Sequence, residues 1–304
     1  MPNPAVLYLY VETPLHAGAG TATVGEVDLP IQREAGTGYP VVRASTLKGA
    51  LRAAVETGAT AEDVAAAFGS TPEAPEDQTF AGSLLLGDAR LLLFPVRSLV
   101  GVFSWVTAPE PLARFRRDAA AIGVPLPWPE LPPVADGSAL VPPDSALRTA
   151  RGRVVLEDAA FRAEIVEEAE ALARWLAEEL FPPEPEFAYW AQKLQEDLVV
   201  LPDVAFRFFT THRTEVMQRI RIDRRTGAAA EGALWSEEYL PENTLLWVAV
   251  DSQPPARPTD SIQSPSDALS WLRVALPPRL QVGGDRTLGR GFVRLRWAKK
   301  EEAL

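Results

Sequence analysis

The chain alternates between short runs that are apolar throughout and stretches in which apolar residues recur every three or four positions. VLYLYV, at residues 6–11, is of the first kind. A run that rich in Val and Tyr predicts a buried strand over residues 5–12. The second kind begins near Ser45. Leu47, Leu51 and Val55 share one helical face, and Ser45 is the expected N-cap of a helix reaching about residue 56. Thr60, followed by Glu62 and Asp63, predicts a second short helix. A polar loop is expected over 71–79. Residues 83–96 are leucine-rich and hinged at Gly87-Asp88-Ala89, which predicts two strands or one bulged strand; residues 100–107 predict another.

Residues 110–122 and 187–198 read as helices. Residues 161–180 read as a longer one, with Ile165, Ala169, Leu172, Leu176 and Leu180 in a stripe opposite glutamates. Between them, seven prolines in residues 123–143 predict an irregular surface insertion, followed by a short strand over 153–156. Residues 216–223 and 228–234 predict an arginine-bearing hairpin, and 245–250 a strand. Ser264 is the expected cap of a helix over 265–276, and residues 280–282 and 292–297 flank a glycine-rich loop. Strands and helices mingle without regular βαβ repetition, so the expected class is α+β.

Composition narrows the picture. With 304 residues and 47% apolar content, a packed core is expected and global disorder is not. The chain has no cysteine, which removes disulfides and thiolate metal sites and suits a reducing cytoplasm. No apolar run is long enough for a membrane span, and the N-terminal residues read as a strand rather than a signal peptide. The formal net charge is −11, which argues against nonspecific nucleic-acid binding by a uniform surface. The charge is unevenly placed, however. Acidic residues crowd between 157 and 186, while Arg207, His212, Arg213, Arg219, Arg221, Arg224 and Arg225 lie close together, so a basic face remains open to the fold.

Two glycine-bearing segments at opposite ends carry the candidate chemistry. The first runs His16-Ala17-Gly18-Ala19-Gly20, then Val27-Asp28-Leu29-Pro30-Ile31, then Arg43-Ala44-Ser45-Thr46-Leu47-Lys48, with Arg52 four residues on from Lys48. The second is Gly283-Gly284-Asp285-Arg286-Thr287-Leu288-Gly289-Arg290-Gly291. Glycine lets backbone N–H groups approach an anion, and a helix start offers further N–H groups. The second loop is neither a Walker A loop, since the Gly-Lys-Ser/Thr ending is missing, nor a dinucleotide fingerprint, since its glycine spacing is wrong. The bland readings are a capped surface helix and a glycine-rich hairpin turn. Asp28 can equally cap a turn, Tyr239 can be a core aromatic, and Glu237-Glu238 a solvated pair.

Taken together, VLYLYVETPLHAGAG, VDLPIQRE, YPVVRASTLKGALR and GGDRTLGRGFVRL resemble RAMP-superfamily CRISPR proteins. IRIDRRTGAAAEGALWSEEYLP resembles the thumb of the repeating backbone subunits, the fourth Cmr subunits, of type III-B Cmr complexes. The resemblance implies a ferredoxin-like (RRM-like) palm, mainly residues 1–57, 83–108 and 243–304. It implies inserted helical fingers at about 58–80 and 109–200, and a β-hairpin thumb at about 205–242. It implies that copies stack along a CRISPR guide RNA with other Cmr subunits, and that target RNA is cut beside each thumb. Asp28 then matches the family's catalytic aspartate, with His16, Glu237 and Tyr239 at supporting positions; Glu238 is the alternative one residue on. The expected RNA contacts are Gly18, Gly20, Arg43, Ser45, Thr46, Lys48, Arg52, Arg213, Arg219, Arg221, Arg286, Gly289, Arg290 and Gly291. Mg²⁺ or Mn²⁺ at Asp28 is an expected cofactor. Two alternatives stay open at this point: a structural guide-RNA-binding subunit without nuclease activity, and a CRISPR-RNA processing nuclease of the same superfamily.

Overall fold

The computed structural model describes residues 4–20, 27–71, 73–124, 126–223, 225–227 and 229–299. Residues 21–26 (most of a glycine- and threonine-rich loop expected over 17–25), Arg224 of the basic cluster, and Ala228 at the predicted start of the second hairpin strand lie outside the described residues. The first third of the chain folds as β1 (Ala5–Val11), β2 (Val41–Val42), α1 (Ala44–Val55), α2 (Ala61–Phe68), β3 (Leu84–Leu86), β4 (Ala89–Arg97) and β5 (Phe103–Thr107). The middle follows as α3 (Pro109–Ala121), β6 (Ser138–Val141), β7 (Arg153–Leu156), β8 (Ala159–Ile165), α4 (Glu167–Leu180), α5 (Ala188–Asp197), β9 (Leu198–Val200) and α6 (Asp203–His212). The last third is β10 (Glu215–Ile222), β11 (Ala229–Tyr239), β12 (Leu245–Ser252), α7 (Pro265–Ala275), β13 (Arg279–Gln281) and β14 (Phe292–Trp297).

Twelve strands form one mixed sheet along the path β13-β14-β1-β12-β4-β5-β9-β6-β8-β7, with β2 and β3 added at β4 and β12. Most pairings are antiparallel; β5 with β9 and β6 with β8 are parallel. β1 lies between β12 and β14, and its residues alternate between two cores. Leu7, Leu9 and Val11 face α1, α2, α6 and α7, whereas Val6 and Tyr8 face α3, α4 and α5. Helices on both faces explain why VLYLYV is apolar without alternation. β10 and β11 stand apart as a two-stranded sheet, and β11 runs down into the site.

Several expectations need correction. Ser45 is not the cap of α1: the cap position is Arg43, and the Asp88 carboxylate accepts the Ala44 N–H at 2.7 Å from the β3–β4 hinge. Residues 123–143 are not wholly a surface insertion. Ser138–Val141 is a fully buried strand inside the sheet, and Trp128 is buried against Phe115 and Trp175. The helix expected from residue 161 starts at Glu167, because 159–165 pairs with β6 and β7, which leaves Ile165 half exposed and off the helical stripe. Residues 203–212, which include Arg207 and His212, form a helix ahead of the hairpin, whose first strand starts at Glu215, one residue before its expected start.

Candidate active site

Three irregular segments are stitched to the lower end of β11. Leu15 exchanges backbone hydrogen bonds with Leu240, at 2.9 and 2.8 Å. Leu29 lies parallel to Glu237, its N–H on the Ser236 carbonyl (3.0 Å) and its carbonyl under the Glu238 N–H (3.0 Å). Ala19 and Gln32 N–H groups then join the first two segments to each other through Pro30 and Ala17 carbonyls. The third segment is the C-terminal glycine loop. Its Gly284 N–H donates to the His16 carbonyl (2.9 Å) and its Gly291 N–H to that of Pro14 (2.9 Å). Gly283 and Gly291 both have positive φ, and a Cβ on either would overlap a carbonyl oxygen, of His16 and Val282 respectively. The two glycine-bearing ends of the chain, the Asp28 loop and Glu237 with Tyr239 thus converge on one stretch of strand.

Asp28 is exposed, and Ser236 holds it in a reciprocal box. The Asp28 N–H donates to Ser236 Oγ (2.9 Å), while Asp28 Oδ2 accepts from Ser236 N–H and Oγ (2.8 Å each). The Ser236 N–H first, then its hydroxyl, hold the carboxyl below the usual carboxylate range. His16 Nδ1 lies 2.7 Å from the Glu238 carbonyl oxygen, which can only accept. The proton of the neutral ring is therefore on Nδ1, and Nε2 carries the lone pair. Nε2 faces Gly18, where an added Cβ would come within 2.9 Å of it.

Alternation along β11 separates the two glutamates. Glu238 is a framework residue: it is buried, pairs with Arg33, and accepts from Ile31 N–H (3.0 Å) and Thr214 Oγ1 (2.6 Å). Glu237 points the other way, into a cluster with Tyr239, Arg219 and Trp235. Glu237 accepts from Arg219 Nε (2.9 Å), Trp235 Nε1 (2.7 Å) and the Tyr239 hydroxyl. Burial pushes Glu237 up, but hydrogen bonds from Tyr239, Trp235 and Arg219 outweigh it and leave its carboxyl below the ordinary value. The Tyr239 hydroxyl is raised by burial, then by its carboxylate neighbours Glu237 and Asp285. The Tyr239 ring sits 5.6 Å from His16, centroid to centroid, with Arg290 over its face at 5.1 Å.

A family model described as the RAMP superfamily matches residues 8–294. The chain belongs to the RAMP superfamily. It is 35% identical over 291 residues to a Pyrococcus furiosus protein named CRISPR system Cmr endoribonuclease Cmr4, covering 94% of this chain and 93% of that one. It is 27% identical to the CMR subunit Cmr4 of Saccharolobus solfataricus, covering 95% of each. Its fold is similar to the crystal structure of oligomeric Cmr4 from Pyrococcus furiosus, with a TM-score of 0.73, 28% identity, and 99% of this chain and 100% of that one covered.

Within this RAMP fold the remaining candidates divide. Thr46, Gly283 and Arg286 line an open cleft of 510 Å³ between α1 and β13. Arg286 and Arg221 are exposed and have no protein partner among the described residues; Gly20 and Gly289 are exposed with positive φ. Ser45 is exposed on the first turn of α1. The others are engaged within the protein. Arg43 pairs with Asp88 (2.9 Å); Lys48 donates to the Leu84 carbonyl (3.3 Å), and burial and Arg52 lower its affinity for a proton. Arg52 binds Glu56 and the carbonyls of Gly69 and Ser70, while Arg213 lies near Asp158 and over Phe208. The N–H groups of Gly284, Leu288, Gly289, Arg290 and Gly291 all have protein acceptors, so the loop backbone serves mainly its own closure. Sequence reasoning assigned no role to Ser236 or Asp285, although both stand inside the segments it singled out. Their signal is the register of β11 and a cross-chain contact, neither of which is local.

Proposed function

We propose that this chain is the repeating backbone subunit of a type III-B Cmr effector complex, which binds a CRISPR guide RNA beside further copies of itself and other Cmr subunits and cuts complementary target RNA at regular intervals. The observation that carries this reading is the 35% identity, over 94% of this chain, to the Pyrococcus furiosus Cmr endoribonuclease. The likeness to an oligomeric relative supports stacking of copies. In this reading β1–β5 and β12–β14 belong to a ferredoxin-like palm, residues 58–80 and 109–200, with β6–β9 continuing the sheet, to the fingers, and β10–β11 to the thumb. Val216, Ile220, Ile222 and Leu234 are exposed apolar residues on that hairpin, suited to a wedge against bases.

The chemistry follows from the state of each group. A carboxylate held at low pKa is a weak base, so Asp28 orients the target 2′-hydroxyl rather than taking its proton. His16 Nε2, which carries the lone pair of the ring, accepts that proton as the 2′-oxygen attacks phosphorus. The P–O5′ bond breaks, the 5′-oxygen takes a proton from water, and the ends are a 2′,3′-cyclic phosphate and a 5′-hydroxyl. Arg286, exposed on the glycine loop and lining the cleft with Thr46, supplies a cation for phosphate. Among the described residues no three His, Asp or Glu side chains form a metal cluster. One exposed carboxylate does fit Mg²⁺ or Mn²⁺ held jointly with a substrate phosphate, and there the ion would neutralise phosphate charge.

Reconstitution with guide RNA and an end-labelled complementary target tests the reading. Wild type is expected to yield a ladder of evenly spaced products, and Asp28→Ala to bind target and assemble normally without cutting. Persistent cutting by Asp28→Ala refutes the assignment of its central residue. A wild type that assembles and never cuts makes the chain a structural subunit.

A further inference from the structure

The Tyr239 hydroxyl meets three groups. Arg219 Nη2 donates to it at 2.8 Å, and both Glu237 Oε2 and Asp285 Oδ2 (2.7 Å) stand as acceptors. A phenol has one hydrogen to give, so the two carboxylates compete for it. Glu237 belongs to the same strand as Tyr239. Asp285 does not: it is brought in by the C-terminal glycine loop, in a left-handed conformation (φ +57°) that aims its side chain at the phenol. The residue before it, Gly284, holds the His16 carbonyl. Two adjacent loop residues therefore grip two of the candidate catalytic groups. We propose that Asp285 is a positioning residue that holds the Tyr239 hydroxyl from the C-terminal loop, in competition with Glu237, and that this loop orders the cutting site instead of serving only as a phosphate cradle. The inference rests on the ribonuclease reading above for its consequence, and on the loop geometry alone for the contact.

Asp285→Gly is the sharp variant, because glycine accepts the positive φ and the carboxylate is removed without new strain. In reconstituted complexes its single-turnover cutting rate is expected to fall about 10-fold to 100-fold, as for loss of an outer partner of a reacting group, with target affinity unchanged. Asp285→Asn, which tolerates the same backbone and keeps an acceptor oxygen, is expected to restore most of the rate. In a Tyr239→Phe background Asp285→Gly is expected to cost nothing further. Carbon-13 NMR of the Tyr239 Cζ in the isolated chain reads the contact without cutting: Asp285→Gly is expected to move it. A wild-type rate in Asp285→Gly, an equal loss in the Tyr239→Phe background, or an unmoved Cζ resonance each overturns the proposal. If wild type itself does not cut, the ribonuclease reading fails, and the NMR result still decides whether Asp285 holds Tyr239.

Discussion

Gly283 and Gly289 share a backbone conformation but not a neighbourhood, and that difference predicts unequal costs for the same substitution. Both have positive φ, +82° and +74°. At Gly289 an added Cβ meets nothing within 4 Å, so Gly289→Ala carries only left-handed strain, about 1 kcal/mol. At Gly283 the Cβ would overlap the His16 carbonyl oxygen, the atom that accepts the Gly284 N–H. Gly283→Ala adds loss of that hydrogen bond, about 1 kcal/mol, and displacement of packed backbone, about 2 kcal/mol, for a total near 4 kcal/mol. With an unfolding entropy of about 2.1 cal/mol/K per residue over 304 residues, this corresponds to a Tm lowered by about 6 °C, against about 2 °C for Gly289→Ala. Thermal melts followed by circular dichroism measure both. Since the displaced carbonyl is that of His16, Gly283→Ala should also slow target cutting in reconstituted complexes well below its melt, and Gly289→Ala should not. Equal destabilisation by the two substitutions would mean that the two chain ends do not touch, and the convergent site would be lost with them.

Glu238→Ala breaks a buried pair whose Arg33 partner stays partly exposed and keeps the Gly38 and Thr210 carbonyls, so a urea titration should show a loss near the low end for such pairs, about 3 kcal/mol. A wild-type midpoint would argue that the Glu238–Arg33 pair contributes no stability. Glu179 is buried, and burial pushes its carboxyl above the ordinary value despite the Lys299 N–H at 3.2 Å. Its contribution is therefore complete below the unfolded value of 4.5 and is lost as pH rises through the higher folded value. Glu179→Gln should raise Tm at pH 7 and match wild type in acid below that value; a Tm gain independent of pH would show that charge is not the cause.

Where local chemistry decides structure, the elements could be read directly. Thr60 caps α2, accepting from the Asp63 N–H, and Ser264 and Asp267 make a reciprocal capping box on α7. The missed strands share one property: their partners, not their residues, make them strands. Ser138–Val141 is four residues set among prolines, and only β8 and β9 give it a ladder. Ala159–Ile165 has an Ile at a position that also fits the helical stripe of α4, and pairing on both sides resolves the ambiguity. α1 loses its expected Ser45 cap to Asp88, a partner 44 residues away.

The site was legible in its parts and not in its electrostatics. In the sequence arginine points to phosphate, yet most candidate arginines already have anions or carbonyls of their own. Arg219 is the clearest case: it lies opposite Trp235 in the hairpin and diagonal to Glu237, so register alone turns it to that carboxylate and the Tyr239 hydroxyl. Those hydrogen bonds, Tyr239 first and Glu237 next, raise its affinity for the proton it already holds. Of the seven arginines assigned to RNA, only Arg221 and Arg286 have no protein partner among the described residues. In the proposed reading, two unpartnered candidate arginines on a chain of net charge −11 give one copy a weak, salt-sensitive grip on RNA. In that reading tight binding to a guide comes from repetition, each copy raising the effective concentration of the next along one strand. Folding thus engages most of the candidate arginines within the protein and, in that reading, leaves affinity to assembly.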